Sequence, residues 1–230
     1  MNIHRGDYVH IPDGFLSPST YITASFIALP LLIRAFKKTK ELIDDESFAL
    51  LSSLSAFSFV VMMFNIPIPG GTSGHAIGAA ILAILFGPWV AAFCISLTLF
   101  IQALIFGDGG LSVFAVNSLS MGFTASFVAF YVHKFLKNKM RDNIVFFLSG
   151  WSGIVAASVV VAVILGIQPL LGVDALGHPI YFPFGLSVTI PTVVGSHILF
   201  FGLAEGIATM LVMRFVEKIT NQDKEVSNES

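Results

Sequence analysis

The chain has 230 residues, of which 55% are apolar and only 11% charged, with a mean hydropathy of +0.86. Soluble domains carry about 25% charged residues, so a water-soluble globular fold is excluded. The formal charge of -2 decides little, because in a membrane protein the placement of Lys and Arg carries the information. The one cysteine, Cys94, lies inside an apolar run, which excludes a disulfide framework and a thiolate metal site.

This composition predicts an all-α polytopic membrane protein. Apolar stretches close to the roughly 20 residues a span requires fall at about 17–36, 48–64, 73–87, 89–106, 111–132, 144–168 and 191–214, giving seven transmembrane helices. The third is the weakest, since "HAIGAAILAILFGPW" runs into Gly87 and Pro88; a re-entrant hairpin is the alternative there.

Basic residues orient the spans. Arg34, Lys37, Lys38 and Lys40 follow the first, Lys134, Lys137, Lys139 and Arg141 the fifth, and Arg214, Lys218 and Lys224 the seventh. All fall on one side, predicted to be cytoplasmic, which puts the N-terminus outside and the C-terminus inside. Only Arg5 breaks the pattern. No cleavable signal peptide is evident, because the first apolar run lacks a basic flank before it. Three regions are expected: an N-terminal extension (1–8), one transmembrane domain (9–215) and a polar, disordered cytoplasmic tail (216–230).

Polar residues gather on the outer side. His10 precedes span one in "YVHIPDGFLSPSTY", and His75 follows the glycine-rich "PGGTSG". Gln102 and Asp108 close span four, while Asn117 and His197 occupy the outer halves of spans five and seven. This predicts a small polar or metal site opening outward where bundle helices converge. A lone histidine at a helix end is more often capped or interfacial than a ligand, which is the reading for His178 in its long loop; His133 beside Lys134 belongs to the basic cluster. His10 and His75 differ, because Pro and Gly beside them fix unusual backbone geometry. Gln102 and Asn117 have a blander role open to them, joining helices by hydrogen bonds worth about 0.6 kcal/mol on average in membranes. Glu205 is expected to be protonated or paired, since a charged carboxylate near mid-span costs about 2.5–3.5 kcal/mol to insert. "GHAIG" at 74–78 and "GLAEG" at 202–206 are GxxxG patterns that predict close helix packing.

An imidazole pair without thiolates suits Zn, Cu, Ni or Co rather than Mg or Ca. No HExxH motif occurs, and His197 and Glu205, eight apart, diverge by about 80° around a helix, so an intramembrane metalloenzyme is poorly supported. There is no GxxxxGK[ST] loop, so the chain does not itself hydrolyse ATP by that route; if it moves a metal uphill, another subunit must supply the energy. An ATP-independent secondary carrier or channel is the alternative, for which Glu205 is thin support.

The ordered blocks "HIPDGFLSP", "PGGTSGH", "GPW", "QALIFGDGG", "NSLSMG" and "HILFFGLAEG" resemble the CbiM/NikM family, the substrate-binding (S) subunits of energy-coupling-factor transporters for cobalt and nickel. The resemblance runs from about Val9 to Arg214. It implies a six-helix S-component bundle preceded by one extra N-terminal helix in a prokaryotic cell membrane. It implies no catalytic residue and no permanent cofactor, only transported Co(II) or Ni(II), as for cobalamin biosynthesis. Implied partners are a transmembrane coupling subunit, two cytoplasmic ATPase subunits, often a small accessory membrane subunit, and the lipid bilayer; nucleic acid is not one.

In the family the ion is held by an N-terminal amine, the next backbone nitrogen, the second residue's imidazole and an imidazole from the glycine-rich loop. By motif these become the nitrogen of Val9, the backbone nitrogen and ring of His10, and the ring of His75. Four nitrogens, one a deprotonated amide, favour a tetragonal or square-planar d-block ion over tetrahedral Zn(II). Pro12 and Gly14 would turn His10 inward, and Gly70, Gly71 and Gly74 would admit close backbone approach. Asp13, Gln102, Asp108 and Asn117 are candidates to orient the imidazole N–H groups.

The family's site requires a free amine next to His10, whereas here that nitrogen is an amide joined to Tyr8. The expectation is that residues 1–8 are absent from the active protein and that Val9 marks the true start, translated as Met. Deleting the segment also removes Arg5, leaving every Lys and Arg cytoplasmic. Valine's GUG codon serves as a bacterial start, and Arg5-Gly6-Asp7 is encodable by a purine-rich run resembling a ribosome-binding sequence. The rivals are a tail that folds aside over a weaker site, substitution by His4, or proteolysis that exposes the amine.

Overall fold

The computed structural model describes residues 10–42, 44–68 and 72–229. Seven helical segments follow in chain order: α1 Pro18–Leu42, α2 Asp45–Met62, α3 Ala79–Phe86, α4 Pro88–Phe106, α5 Phe114–Leu136, α6 Asp142–Leu170 and α7 from Leu186. Five of them, α1 and α4 to α7, are long and apolar enough to cross a membrane. Phe26, Phe135 and Phe200 are at least two-thirds exposed, as suits surfaces whose solvent is lipid rather than water.

Local chemistry sets the boundaries. Ser17 Oγ accepts from Thr20 N at the start of α1, with Pro18 in the first turn, where its missing N–H costs nothing. Asp44 caps α2 by accepting from Ser47 N at 2.9 Å. Gly87 and Pro88 end α3 and begin α4. Helix α1 buries only Ala24, Ala28, Ala35 and Thr39, a stripe of small residues, and packs on α4 and α5. The core lies around α4 and α6, where Ile95, Leu99, Ile154 and Leu165 are fully enclosed.

The third segment departs most from the hydropathy pattern. Helix α3 has eight residues, about 12 Å of rise, far short of a roughly 30 Å hydrocarbon core. The preceding residues form a two-stranded antiparallel hairpin, β1 Ile66–Ile68 against β2 Thr72–Gly74, and a short irregular segment. Ile66, Ile68 and Thr72 are β-branched and favour extended backbone, while Pro67 lacks the N–H to extend a larger sheet. "GHAIG" is therefore not a helix-packing motif: Gly74 ends a strand and Gly78 precedes α3. "GLAEG" is one, because a β-carbon at Gly202 would meet the Trp151 ring and one at Gly206 the Phe147 ring, both on α6.

Three helices are interrupted by wider π turns: Gln102–Phe106 in α4, Ser118–Thr124 in α5, and Ile190–Val194 and His197–Phe201 in α7. Such turns insert a residue, redirect the side chains after them and are frequent at functional sites. Three of the four begin at Gln102, directly after Asn117, and at His197, polar positions expected at the outer end. Past these turns α7 is regular over Gly202–Glu229. Where composition predicts a disordered tail from 216, the backbone stays helical to Glu229; Glu217 and Lys218 are good helix formers, and Arg214 pairs with Glu217 one turn on.

Candidate metal centre

The segment before α1 lies across the mouth of the bundle as a strap, pinned by bonds between residues far apart in sequence. Ile11 O accepts from Gly110 N at 3.0 Å and from Asn117 Nδ2 at 3.2 Å. Asp13 Oδ1 accepts from the Ser112 backbone N–H and hydroxyl. Phe15 O accepts from Phe182 N at 3.0 Å, and Ser17 N donates to the buried Gln168 Oε1 at 2.9 Å. The strap turns at Gly14, whose φ of +87° lies where an L side chain is strained.

That path carries His10 inward until 6% of it is exposed. Its Nε2 donates to Gln102 Oε1 at 3.0 Å. The amide's orientation follows from its other end, since Gln102 Nε2 faces the Phe59 carbonyl at 3.5 Å. With the proton on Nε2, the lone pair lies on Nδ1, and Nδ1 is buried without a hydrogen-bond partner among the described residues. Burial pushes this imidazole below its usual pKa against the opposing pull of the Asp108 charge and the Gln102 bond, which favours the neutral ring that a metal requires. Gly109, at φ +92°, lets the chain pass His10: a β-carbon there would sit 3.0 Å from His10 Cβ.

His75 follows the β hairpin and is equally enclosed. Its Nδ1 donates to Ala76 O at 2.9 Å, which puts the lone pair on Nε2. The His10 and His75 rings meet edge to face with centroids 4.9 Å apart. Metal–nitrogen bonds of about 2 Å put the centroids of two imidazoles at neighbouring corners of one ion roughly 4–5 Å apart, and the observed separation falls in that range.

The other expected residues divide by what they touch. Gln102 bonds an imidazole directly, and Asp108 acts on His10 through its charge. Asp13 and Asn117 bond the strap and its neighbours rather than an imidazole nitrogen. His197 donates Nδ1 to Val193 O in its own helix and packs on Phe201. His178 is exposed beside Asp174, and His133 packs on Phe146. Val9, Gly70 and Gly71 lie outside the described residues. Among the described residues no three His, Cys, Asp or Glu side chains are grouped to hold a metal. Sequence reasoning did not single out Gln168 and Phe182, which brace the strap; Gln168, at the end of an apolar span, was the available signal.

Glu205 is paired. Its carboxylate, 2% exposed, accepts from Ile77 N at 2.7 Å and from Gly78 N at 2.9 and 3.1 Å. These N–H groups open α3, where backbone donors lack helical partners and the helix dipole favours negative charge.

The fold and its mouth define a polytopic helical membrane protein with two imidazoles enclosed at one end of the bundle. The CbiM profile, described as "Cobalt uptake substrate-specific transmembrane region", matches residues 10–222. The chain belongs to this family. It is 38% identical over 225 residues to a Methanocaldococcus jannaschii protein whose name assigns it to metal transport, covering 95% of this chain and 98% of that one. It is 39% identical over 215 residues to the fused nickel transport protein NikMN of Rhodobacter capsulatus, covering 91% of this chain but spanning only 62% of that fused protein. A crystal structure described as a truncated transition metal transporter superposes with a TM-score of 0.87 at 42% identity, covering 91% of this chain and 98% of that one.

Proposed function

We propose that this chain captures Co(II) or Ni(II) at the outer face of a prokaryotic cell membrane and passes it inward as the substrate-binding subunit of an ATP-driven energy-coupling-factor transporter. Membership of the cobalt-uptake family and the nickel and transition-metal transport names of its relatives support metal transport. The observation that carries the reading to particular residues is the enclosed His10–His75 pair, 4.9 Å between ring centroids, with hydrogen bonds that leave a lone pair on His10 Nδ1 and His75 Nε2. The backbone nitrogen of His10 and the nitrogen of residue 9 complete the donor set. Because an amide is a far poorer ligand than an amine, the fourth donor needs residues 1–8 to be absent from the active protein. Asp13 and Asn117 hold the strap that carries His10; Gln102 and Asp108 act on its ring.

A transmembrane coupling subunit and two cytoplasmic ATPase subunits supply the energy, with a small accessory membrane subunit where present. Uptake of radioactive nickel by cells expressing this chain with and without those subunits tests the assignment. Uptake that requires the ATPases supports it, and equal ATP-independent uptake by the chain alone makes it a secondary carrier. Intact mass of protein expressed from its native gene tests the start: a chain beginning at Met1 that binds nickel tightly rules out loss of residues 1–8.

A further inference from the structure

Helix α7 touches the His75 segment on both sides of the histidine. One turn apart on the same face of α7, Phe201 and Glu205 meet different residues. The Phe201 ring lies where a β-carbon on Gly74 would come within 2.1 Å of it. The Glu205 carboxylate takes the N–H groups of Ile77 and Gly78. His75 is thus held between a steric stop one residue before it and hydrogen bonds that begin two residues after it. These partners are 127 and 128 residues away in sequence, so the bonds tie two separate parts of the chain together. A carboxylate in a span is costly unless its oxygens are fully used, and its use here is to hold one short backbone segment.

We propose that Glu205 is a positioning residue for His75: by clamping the Ile77 and Gly78 amides it lets α7 set where the imidazole stands, so that α7 governs how firmly the ion is held. This rests on the reading of His75 as a metal ligand. Loss of the clamp leaves the donors on the strap intact and weakens only the one from the loop. The result is a looser complex with an altered ligand field rather than no complex.

The test compares the parent, His75→Ala and Glu205→Gln in lipid nanodiscs, titrated with NiCl2 and followed by the visible absorption bands of the bound ion. Gln keeps the side chain's shape but turns an NH2 group toward backbone donors. Glu205→Gln is expected to bind Ni(II) about 10–100-fold more weakly, as when an outer partner of a ligand is lost, with its bands moved part of the way toward those of His75→Ala. A purely structural role would lower thermal stability and leave the bands of the bound fraction in place, which overturns the proposal. If His75→Ala binds like the parent, the site reading itself fails; if His75→Ala binds more weakly with shifted bands and Glu205→Gln matches the parent in both, only this inference fails. Should Glu205→Gln not fold, amide exchange in the metal-free parent decides. Amides 77–80 exchanging as slowly as those of α7 support the clamp, and exchange as fast as in the exposed 174–178 loop refutes it.

Discussion

The two ends of the bundle differ in how far their polar groups tie separate elements together, although His197 in an outer half also bonds within its own helix. At the mouth, side-chain hydrogen bonds cross between elements: His10 to Gln102, Asp13 to Ser112, Asn117 to Ile11 and Ser17 to Gln168. Toward the basic end, Thr39, Ser55, Ser149 and Ser152 each bond a carbonyl one turn back in their own helix. A hydroxyl satisfied within its own helix leaves that helix free to pack by shape, through contacts such as Gly206 on Phe147. A bond between elements fixes their relative position. Geometry is therefore enforced at the mouth, and close packing suffices at the other end.

The sharpest way to break this contrast is to remove an imidazole. His10→Ala and His75→Ala are each expected to weaken Ni(II) or Co(II) binding more than about 100-fold, beyond the usual cost of losing an outer partner, with a small change in melting temperature. Calorimetric titration beside thermal unfolding checks both; parent-like affinity in either variant would show the site to be misplaced. Next comes Gly74→Leu, where the first added carbon already overlaps the Phe201 ring. Overpacking of this kind costs about 1–3 kcal/mol, and the yield of monodisperse, metal-binding protein should fall. A parent-like yield would show that α7 can step aside.

Gln102→Leu sharpens the comparison, because it leaves the His10 Nε2–H unpaired without removing a ligand. Affinity should drop about 10-fold while melting changes little, and unchanged affinity would mean that the strap alone orients His10. The smallest effect belongs to the other end. Ser149→Ala removes a hydroxyl bonded within its own helix and should leave metal affinity untouched, with a stability change no larger than the ~0.6 kcal/mol typical of membrane hydrogen bonds. A clear loss of metal binding there would erase the distinction between the ends.

Hydropathy located the spans, since Pro88, Pro18 and the basic clusters mark their ends, but it overextended α3. The residues from 73 to 78 fall within the span with the apolar run after them, yet they form the end of a hairpin and a short irregular stretch held by Glu205 and Phe201, partners more than 120 residues away. The π turns were equally hidden, because a one-residue insertion in a helix leaves no mark on hydropathy. At the site, Pro and Gly mark the two histidines, His10 and His75, whose rings meet. The four acids and amides nearby could not be ranked from the sequence: Gln102 reaches His10 across 92 residues, and Asn117, of similar chemistry, reaches a backbone carbonyl instead. Glu205 announced itself as a mid-span acid needing a partner, but nothing in the sequence pointed to the amides after His75.

X-ray absorption of the nickel-loaded protein, expressed from its native gene, tests the central claim most directly. The account predicts a four-coordinate, all-nitrogen shell with two imidazoles, reduced to one in His75→Ala. A six-coordinate, oxygen-rich shell, or an unchanged imidazole count in that variant, would contradict it.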